Sequence, residues 1–371
     1  MARSGHSISI VKDKAWIYGG TTAAGKIASK DIHAVALPTA EEPDSQYSAI
    51  PALAENEEDG VPNPRTKHAA CAFNVCIAVF GGLDESGQTI DEGHIWLFVT
   101  AKSSWETLKP KDPSAPAPEA RSEAHLFDHK NKLLLYGGKN KSGESLKDVW
   151  LFDYVERTWT RLPEAPVPST EAAYTNGILH LISVNDNVSG NLHILAITPG
   201  KGEEHIWHTL EFPTNPLTPG PRPRTGAGLL PIHMGHGRLY LLYLFGKREL
   251  SGENSGSESA DPPYWSDMWT YQLPSAANEA KATLNVAEML KPARIKDSIR
   301  SALGADSGGY SWSEVEVLPP KDLEAVAGKV HPGPRGYFGC GVLKDGKSVV
   351  IWGGLNAKGE TEGDGWIIRL E

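Results

Sequence analysis

Cysteine is scarce in this chain: Cys71, Cys76 and Cys340 are the only three in 371 residues. Three thiols build no disulfide framework. Cys71 and Cys76 flank an expected tight turn that would let them face each other across a hairpin, but two packed thiols are the preferred reading. Long apolar runs are missing as well, for none approaches the roughly 20 residues that span a bilayer. The first residues, Met1 to His6, enter a strand pattern without the apolar core of a secretion signal. Basic excess is absent too. Lys and Arg number 36 against 46 Asp and Glu, a net charge of −10, so nucleic acid and anionic membranes find no electrostatic footprint. Helix-favouring stretches are few, and no Gly-x-Ser-x-Gly elbow, phosphate loop or zinc motif occurs. These absences predict a soluble, cytoplasmic monomer with no cofactor and no metal.

What the chain does have is glycine in a fixed place. A Gly-Gly doublet after an aromatic residue recurs at Tyr18-Gly19-Gly20, Phe80-Gly81-Gly82, Tyr136-Gly137-Gly138 and Trp352-Gly353-Gly354, with a degraded copy at Phe245-Gly246. Such a doublet marks a buried strand that must turn sharply with φ > 0. Around it lies a longer unit. An arginine stands upstream at Arg3, Arg65, Arg121, Arg224 and Arg335 and is followed by a short strand of small and apolar residues. After the doublet, a third strand carries Asp-apolar-Trp, clearest at Asp148-Val149-Trp150 and Asp267-Met268-Trp269, and looser at Asp91 to Phe98 and Asp364-Gly365-Trp366. A fourth strand carries a second tryptophan, at Trp105, Trp159, Trp207 and Trp312, with Tyr47 in its place in the first unit.

Four strands per unit joined by short turns is the signature of a propeller blade. The doublet and the spaced aromatic pair resemble the kelch repeat, and the resemblance covers almost the whole chain. It implies an all-β, six-bladed kelch-like β-propeller, because one blade cannot bury its faces alone. The blades are expected near 1–51, 65–108, 121–162, 170–210, 224–318 and 335–371. Unit four is the poorest copy, with Ser183-Val184 where the glycines belong, and the chain ends after a third strand in unit six. That predicts a three-stranded last blade.

Individuality in a repeat protein sits in its insertions. The resemblance implies that the loops between blades, and those joining strands two and three, share one face. On that face stand the acidic run Glu55 to Asp59, the proline-rich joins Pro213 to Pro223 and Pro319 to Pro334, and the Ser/Gly/Glu-rich stretch Leu250 to Pro263. Residues 274–309, between strands three and four of blade five, carry helical spacing at Leu284, Ala287, Leu290, Ile295, Ile299 and Leu303, divided by Pro292. This predicts a helical insertion on the opposite face, either docking an acidic partner through Lys291, Arg294, Lys296 and Arg300 or packed on the flank with those charges in water.

The repeated arginines are expected to begin the innermost strands and ring the channel mouth, where a guanidinium fork suits carboxylates and phosphates. The resemblance implies a ligand face from these residues, the hydroxyl residue after them and the loop after the doublet: Arg65-Thr66, Arg121-Ser122, Arg224-Thr225, Arg335, Asp84, Lys139 and Asn140. The competing reading is that each arginine merely pairs with a neighbouring blade. His6, His68 and His125 sit on neighbouring inner strands, but uneven spacing from their arginines argues against a metal triad. Kelch-type specifier proteins use Glu-x-x-x-Asp-x-x-x-His; Glu360 and Asp364 match, yet position 368 is Ile368. The tyrosine–cysteine cofactor of galactose-oxidase-like enzymes has no counterpart. Two functions remain. One is a non-enzymatic recognition module, its inter-blade-loop face holding an acidic peptide, a protein segment or a small anionic ligand. The alternative is a motif-poor isomerase or cyclase acting on a small organic substrate, with Glu123, His68 and Tyr337 as acid–base groups and Glu171 near by.

Overall fold

The computed structural model describes residues 1–38, 46–168, 171–186, 189–198, 204–212, 219–235, 238–249, 263–273, 311–318 and 331–370. They form six antiparallel sheets around a common axis. Blade one comprises Ser7–Val11, Lys14–Tyr18, Ile32–Ala36 and Tyr47–Ile50; blade two Ala69–Phe73, Cys76–Phe80, Ile95–Val99 and Ser104–Leu108. Blade three comprises His125–His129, Lys132–Tyr136, Val149–Asp153 and Thr158–Leu162; blade four Glu171–Thr175, Ile178–Val184, Gly190–Ala196 and Trp207–Glu211. Blade five comprises Gly228–Met234, Arg238–Leu244, Met268–Gln272 and Trp312–Glu314; blade six Gly339–Val342, Ser348–Trp352 and Gly365–Arg369. In every sheet the strands follow chain order, and the sixth has three strands among the described residues. No helix occurs among them, and none there is long and apolar enough to cross a membrane. The expected helical insertion over 274–309, most of Leu250 to Pro263, and parts of both proline-rich joins lie outside the described residues.

Second strands such as Leu133-Leu134-Leu135 are fully buried because both their faces meet a neighbouring sheet. Among the described residues, six apolar clusters fill the six junctions between adjacent blades. The last joins Val350 of blade six to Ile8, Ala15 and Ile17 of blade one and closes the ring. Trp352 Nε1 also donates to the Met1 carbonyl at 2.9 Å. The cysteines are free thiols whose pKa burial raises, to about 12 for Cys340.

The arginines do not begin the innermost strands. Each stands in a separate short segment before them that pairs with the loop after the doublet: Arg3–Ser4 with Thr21–Thr22, Arg224–Thr225 with Lys247–Arg248, and Arg335–Gly336 with Leu355–Asn356. Blades two and three reduce this to the bridges Thr66 to Leu83 and Ser122 to Lys139. Inter-blade segments and strand-two-to-three loops therefore share one end of the ring.

Candidate functional site

The arginine side chains run into the protein. Arg65, Arg121, Arg224 and Arg335 are at most 1 % exposed and Arg3 is 5 % exposed. Arg121 donates to the Gly137 carbonyl at 3.0 Å and grips Asp148 with two nitrogens, at 2.6 and 2.9 Å. Arg224 treats the Phe245 carbonyl and Asp267 the same way, at 2.9, 2.6 and 3.0 Å. Arg335 reaches the Gly353 carbonyl and Asp364, both at 3.1 Å, while Arg65 reaches the Gly81 carbonyl at 2.9 Å and bonds Asp91. The tryptophan two residues beyond the aspartate donates to the same carboxylate at Trp150, Trp269 and Trp366. Burial works against these carboxylates, yet the bonds from their partners hold Asp91 and Asp148 below the ordinary range. In blade one Arg3 meets His33 instead, Nη2 lying 2.5 Å from Nε2, and Tyr47 is an exposed hydroxyl bound to His33 rather than a buried replacement for tryptophan.

This brace also joins blades. The second residue of the doublet sends its N–H to the next arginine's carbonyl: Gly20 to Arg65, Gly82 to Arg121, Gly246 to Arg335 and Gly354 to Arg3, each at 2.8 Å. A Cβ on Gly81, where φ is +65°, would stand 2.2 Å from the Arg121 carbonyl oxygen, so this position admits no side chain as the blades stand. The five arginines therefore form no ligand ring. Their guanidinium groups brace the blade that follows each arginine, not a neighbouring one as the competing reading supposed; the bond from the neighbouring blade goes to the arginine's backbone carbonyl.

The residue two positions after each arginine has the opposite fate. Gly5, Lys67, Glu123, Gly226 and Tyr337 all adopt left-handed φ, between +55° and +63°. Their backbones bond round the axis: Tyr337 N–H to Gly226, Gly5 to Tyr337, Lys67 to Gly5 and Glu123 to Lys67, at 2.7 to 2.8 Å. Three of these five carry side chains in a conformation that L-residues avoid, a form of strain that tends to gather at functional sites. All five line a cavity of about 370 Å³ at this end of the ring, with His6, His68, His125, Lys139, Glu171 and Thr225 also on its wall.

Two lysines share one acid there. Glu123 Oε1 lies 2.5 Å from Lys67 Nζ, and its Oε2 lies 2.7 Å from Lys139 Nζ. Burial pushes the Glu123 carboxyl up, but its bonds from Lys139 and Lys67 outweigh that and leave its pKa lowered. Lys67 also lies over the Tyr337 ring, 5.4 Å from its centroid. Glu171 differs: burial raises its pKa well above the usual carboxyl value, although its Oε1 accepts the Ala227 N–H at 2.9 Å. Burial, with nearby Arg3 and Arg65 charges, depresses His6 and His68 to about 3, so both are neutral, and His68 Nε2 lies 2.8 Å from Ser7 Oγ.

Of the residues expected from sequence, Glu123, His68, Tyr337, Lys139 and Thr225 meet in this cavity, whereas Thr66 and Ser122 stand in the bridges behind it. Asp84 and Asn140 fold their own turns, accepting the N–H groups of Ser86, Gln88, Ser142 and Glu144. Lys67 escaped the sequence reading. Its signal was the pair Gly5 and Gly226 at the equivalent position, which marks a left-handed site. Among the described residues no three His, Cys, Asp or Glu side chains are grouped to hold a metal.

The family model described as the KLHDC2/KLHL20/DRC7 Kelch-repeats domain matches residues 1–189. The chain is 28 % identical to the flagellar outer-arm dynein alpha chain of Chlamydomonas reinhardtii over 44 % of its own length and 3 % of that protein. It is 27 % identical to the F-box/kelch-repeat protein At1g51550 of Arabidopsis thaliana over 53 % of its own length and 41 % of that protein. It thus spans less than half the length of either relative. The solved structure of YjhT covers all of this chain, and the chain covers 96 % of it, with a TM-score of 0.63 at 14 % identity, a likeness of fold alone.

Proposed function

We propose, from the premise that this chain belongs to the kelch-repeat family, that its cavity end binds an acidic peptide, an acidic protein segment or a small anionic ligand. The kelch propeller is a general protein-interaction module. One observation carries the finer reading. Lys67 and Lys139 share a single carboxylate on the wall of the cavity, so these three groups together carry one net positive charge, on a chain whose overall charge is −10. Both ammonium groups stay partly exposed, and each offers three donors. The test is fluorescence anisotropy with a rhodamine-labelled tetraglutamate peptide. Saturable binding by the wild type, at least tenfold weaker in Lys67→Gln/Lys139→Gln, supports the reading. Equal binding by both proteins sinks it.

One observation favours a second reading, an isomerase- or cyclase-type catalyst. On the wall of the same cavity burial raises the Glu171 pKa well above the usual carboxyl value while the lysine bonds lower that of Glu123, the arrangement that separates a general acid from a general base. Small molecules recovered from the purified chain would be incubated with wild type and with Glu171→Gln. Conversion by the wild type alone supports catalysis, and unchanged recovery from both counts against it.

A further inference from the structure

The cationic seat of the cavity is already filled. Glu123 spends both carboxylate oxygens on it, one on each lysine, from a backbone held at φ +55° by its N–H bond to the Lys67 carbonyl at 2.8 Å. Among the described residues no other carboxylate is ion-paired to either lysine. Arg65, Arg121, Arg224 and Arg335 at the same end are closed to a ligand, being buried and gripped by aspartates. Lys67 and Lys139 differ, with side chains 37 % and 46 % exposed, and their partner is a glutamate on a flexible stem that is itself 25 % exposed. We propose that Glu123 is a built-in competitor: its carboxylate occupies the seat between Lys67 and Lys139, so the cavity refuses a single carboxylate and admits a segment bearing several.

The argument rests on the anion-recognition reading above and adds to it what the site selects. A tethered carboxylate meets its partners at an effective concentration that a free monoanion does not match, so exchanging one carboxylate for another gains nothing. Several linked carboxylates overcome the tether, because each one after the first also binds at an effective concentration. Removing the glutamate charge raises the charge of this trio from one net positive to two and leaves both lysines without their ion partner. The two lysine bonds outweigh burial and leave the Glu123 pKa lowered, which keeps the competitor charged at neutral pH.

The test compares two rhodamine-labelled peptides, a tetraglutamate and one bearing a single glutamate, by anisotropy on wild type and Glu123→Gln. Glu123→Asn serves as the second variant, since asparagine tolerates left-handed φ and removes the same charge; circular dichroism checks the fold of each. Wild type is expected to favour tetraglutamate at least tenfold. Both variants are expected to bind the single-glutamate peptide at least tenfold more tightly than wild type and to lose most of that preference. If wild type binds neither peptide while the variants bind both, the competitor stands and the recognition reading falls. If wild type binds tetraglutamate and the variants bind no more tightly, the recognition reading stands and the competitor is overturned. If no protein binds, both are overturned.

Discussion

In blade two, Arg65 is fully buried against Asp91 and a glycine carbonyl, while Lys67, two residues on, reaches into the cavity. The same contrast separates Arg121 from Glu123 in blade three and Arg335 from Tyr337 in blade six. The buried member never varies where the repeat is kept, because its donors must match a carboxylate and a carbonyl set by the blade itself. The cavity member is lysine, glutamate, tyrosine or glycine, since only its backbone, turned to positive φ and bonded round the axis, belongs to the architecture. Repetition in this chain therefore reports assembly, and the positions beside it that break the repeat are free to carry function.

The sharpest way to break this comparison is to remove one brace. Arg121→Ala leaves the Gly137 carbonyl without its arginine donor and Asp148 without its ion partner, with Trp150 still donating to that carboxylate, in a largely buried place. Losing one partner of a buried, hydrogen-bonded pair costs about 3–5 kcal/mol. A urea midpoint lowered accordingly is expected, and a loss below about 1 kcal/mol would show that the arginines are not what holds the blades.

The next effect is one of pH. His6 and His68, neutral and buried with pKa values near 3, ionise near 6.5 in the unfolded chain. Between those values the unfolded state binds more protons, so each histidine's share of stability falls as pH drops below 6.5 and stops falling near 3. By pH 5 the share lost is about 2 kcal/mol per histidine. Glu171 has the opposite sign, because its raised pKa makes the folded chain the better proton binder above the ordinary carboxyl value. The stability of wild type minus that of His68→Gln, followed by urea unfolding from pH 7 to 5, isolates the histidine. A difference that does not change with pH would rule out burial of the neutral ring as the cause.

Much of the brace was legible in the sequence, though not its purpose. Arginine, doublet and Asp-apolar-Trp all stood out because they recur, and the aspartate that neutralises Arg121 was visible as the first residue of a strand motif. Pairing the two needed the fold, since Asp148 lies 27 residues beyond Arg121. The degraded doublet shows the limit from the other side. Phe245 takes the place of the first glycine with φ +53° and sends its carbonyl to Arg224 as a glycine would, so backbone geometry survived where the letters changed. Lys67 was invisible because a lysine after a threonine has no pattern, and only the glycines at the equivalent sites in blades one and five disclose it.

A smaller perturbation acts inside the ring of left-handed residues. Gly226 has φ +60°, and a Cβ there would stand 2.7 Å from the Tyr337 ring. Gly226→Ala is expected to cost about 1–2 kcal/mol for the backbone alone, and to push Tyr337 off the floor beside Lys67. Tyrosine fluorescence quenching by acrylamide would report the second effect. An unmoved, equally stable Tyr337 would mean that the ring tolerates side chains anywhere and is no built surface.

The smallest effect on stability tests the comparison most closely, because its sign is reversed. Lys67→Gly gives blade two the residue that blades one and five already carry at this position. Glycine relieves the left-handed strain at φ +55°, a gain of roughly 1 kcal/mol, partly offset by its larger unfolded-state entropy. The lost pair with Glu123 is partly exposed and contributes less than about 1 kcal/mol. Stability should therefore hold or rise slightly, while binding of the labelled tetraglutamate peptide falls at least tenfold, since one of two cations is gone and Glu123 is left to repel the ligand. Arg65→Gly, two residues earlier, should do the reverse and unfold the blade before any question of binding arises. If Lys67→Gly instead destabilised the chain as much as a brace variant, the ring would be part of the assembly after all, and the division between the two neighbours would not hold.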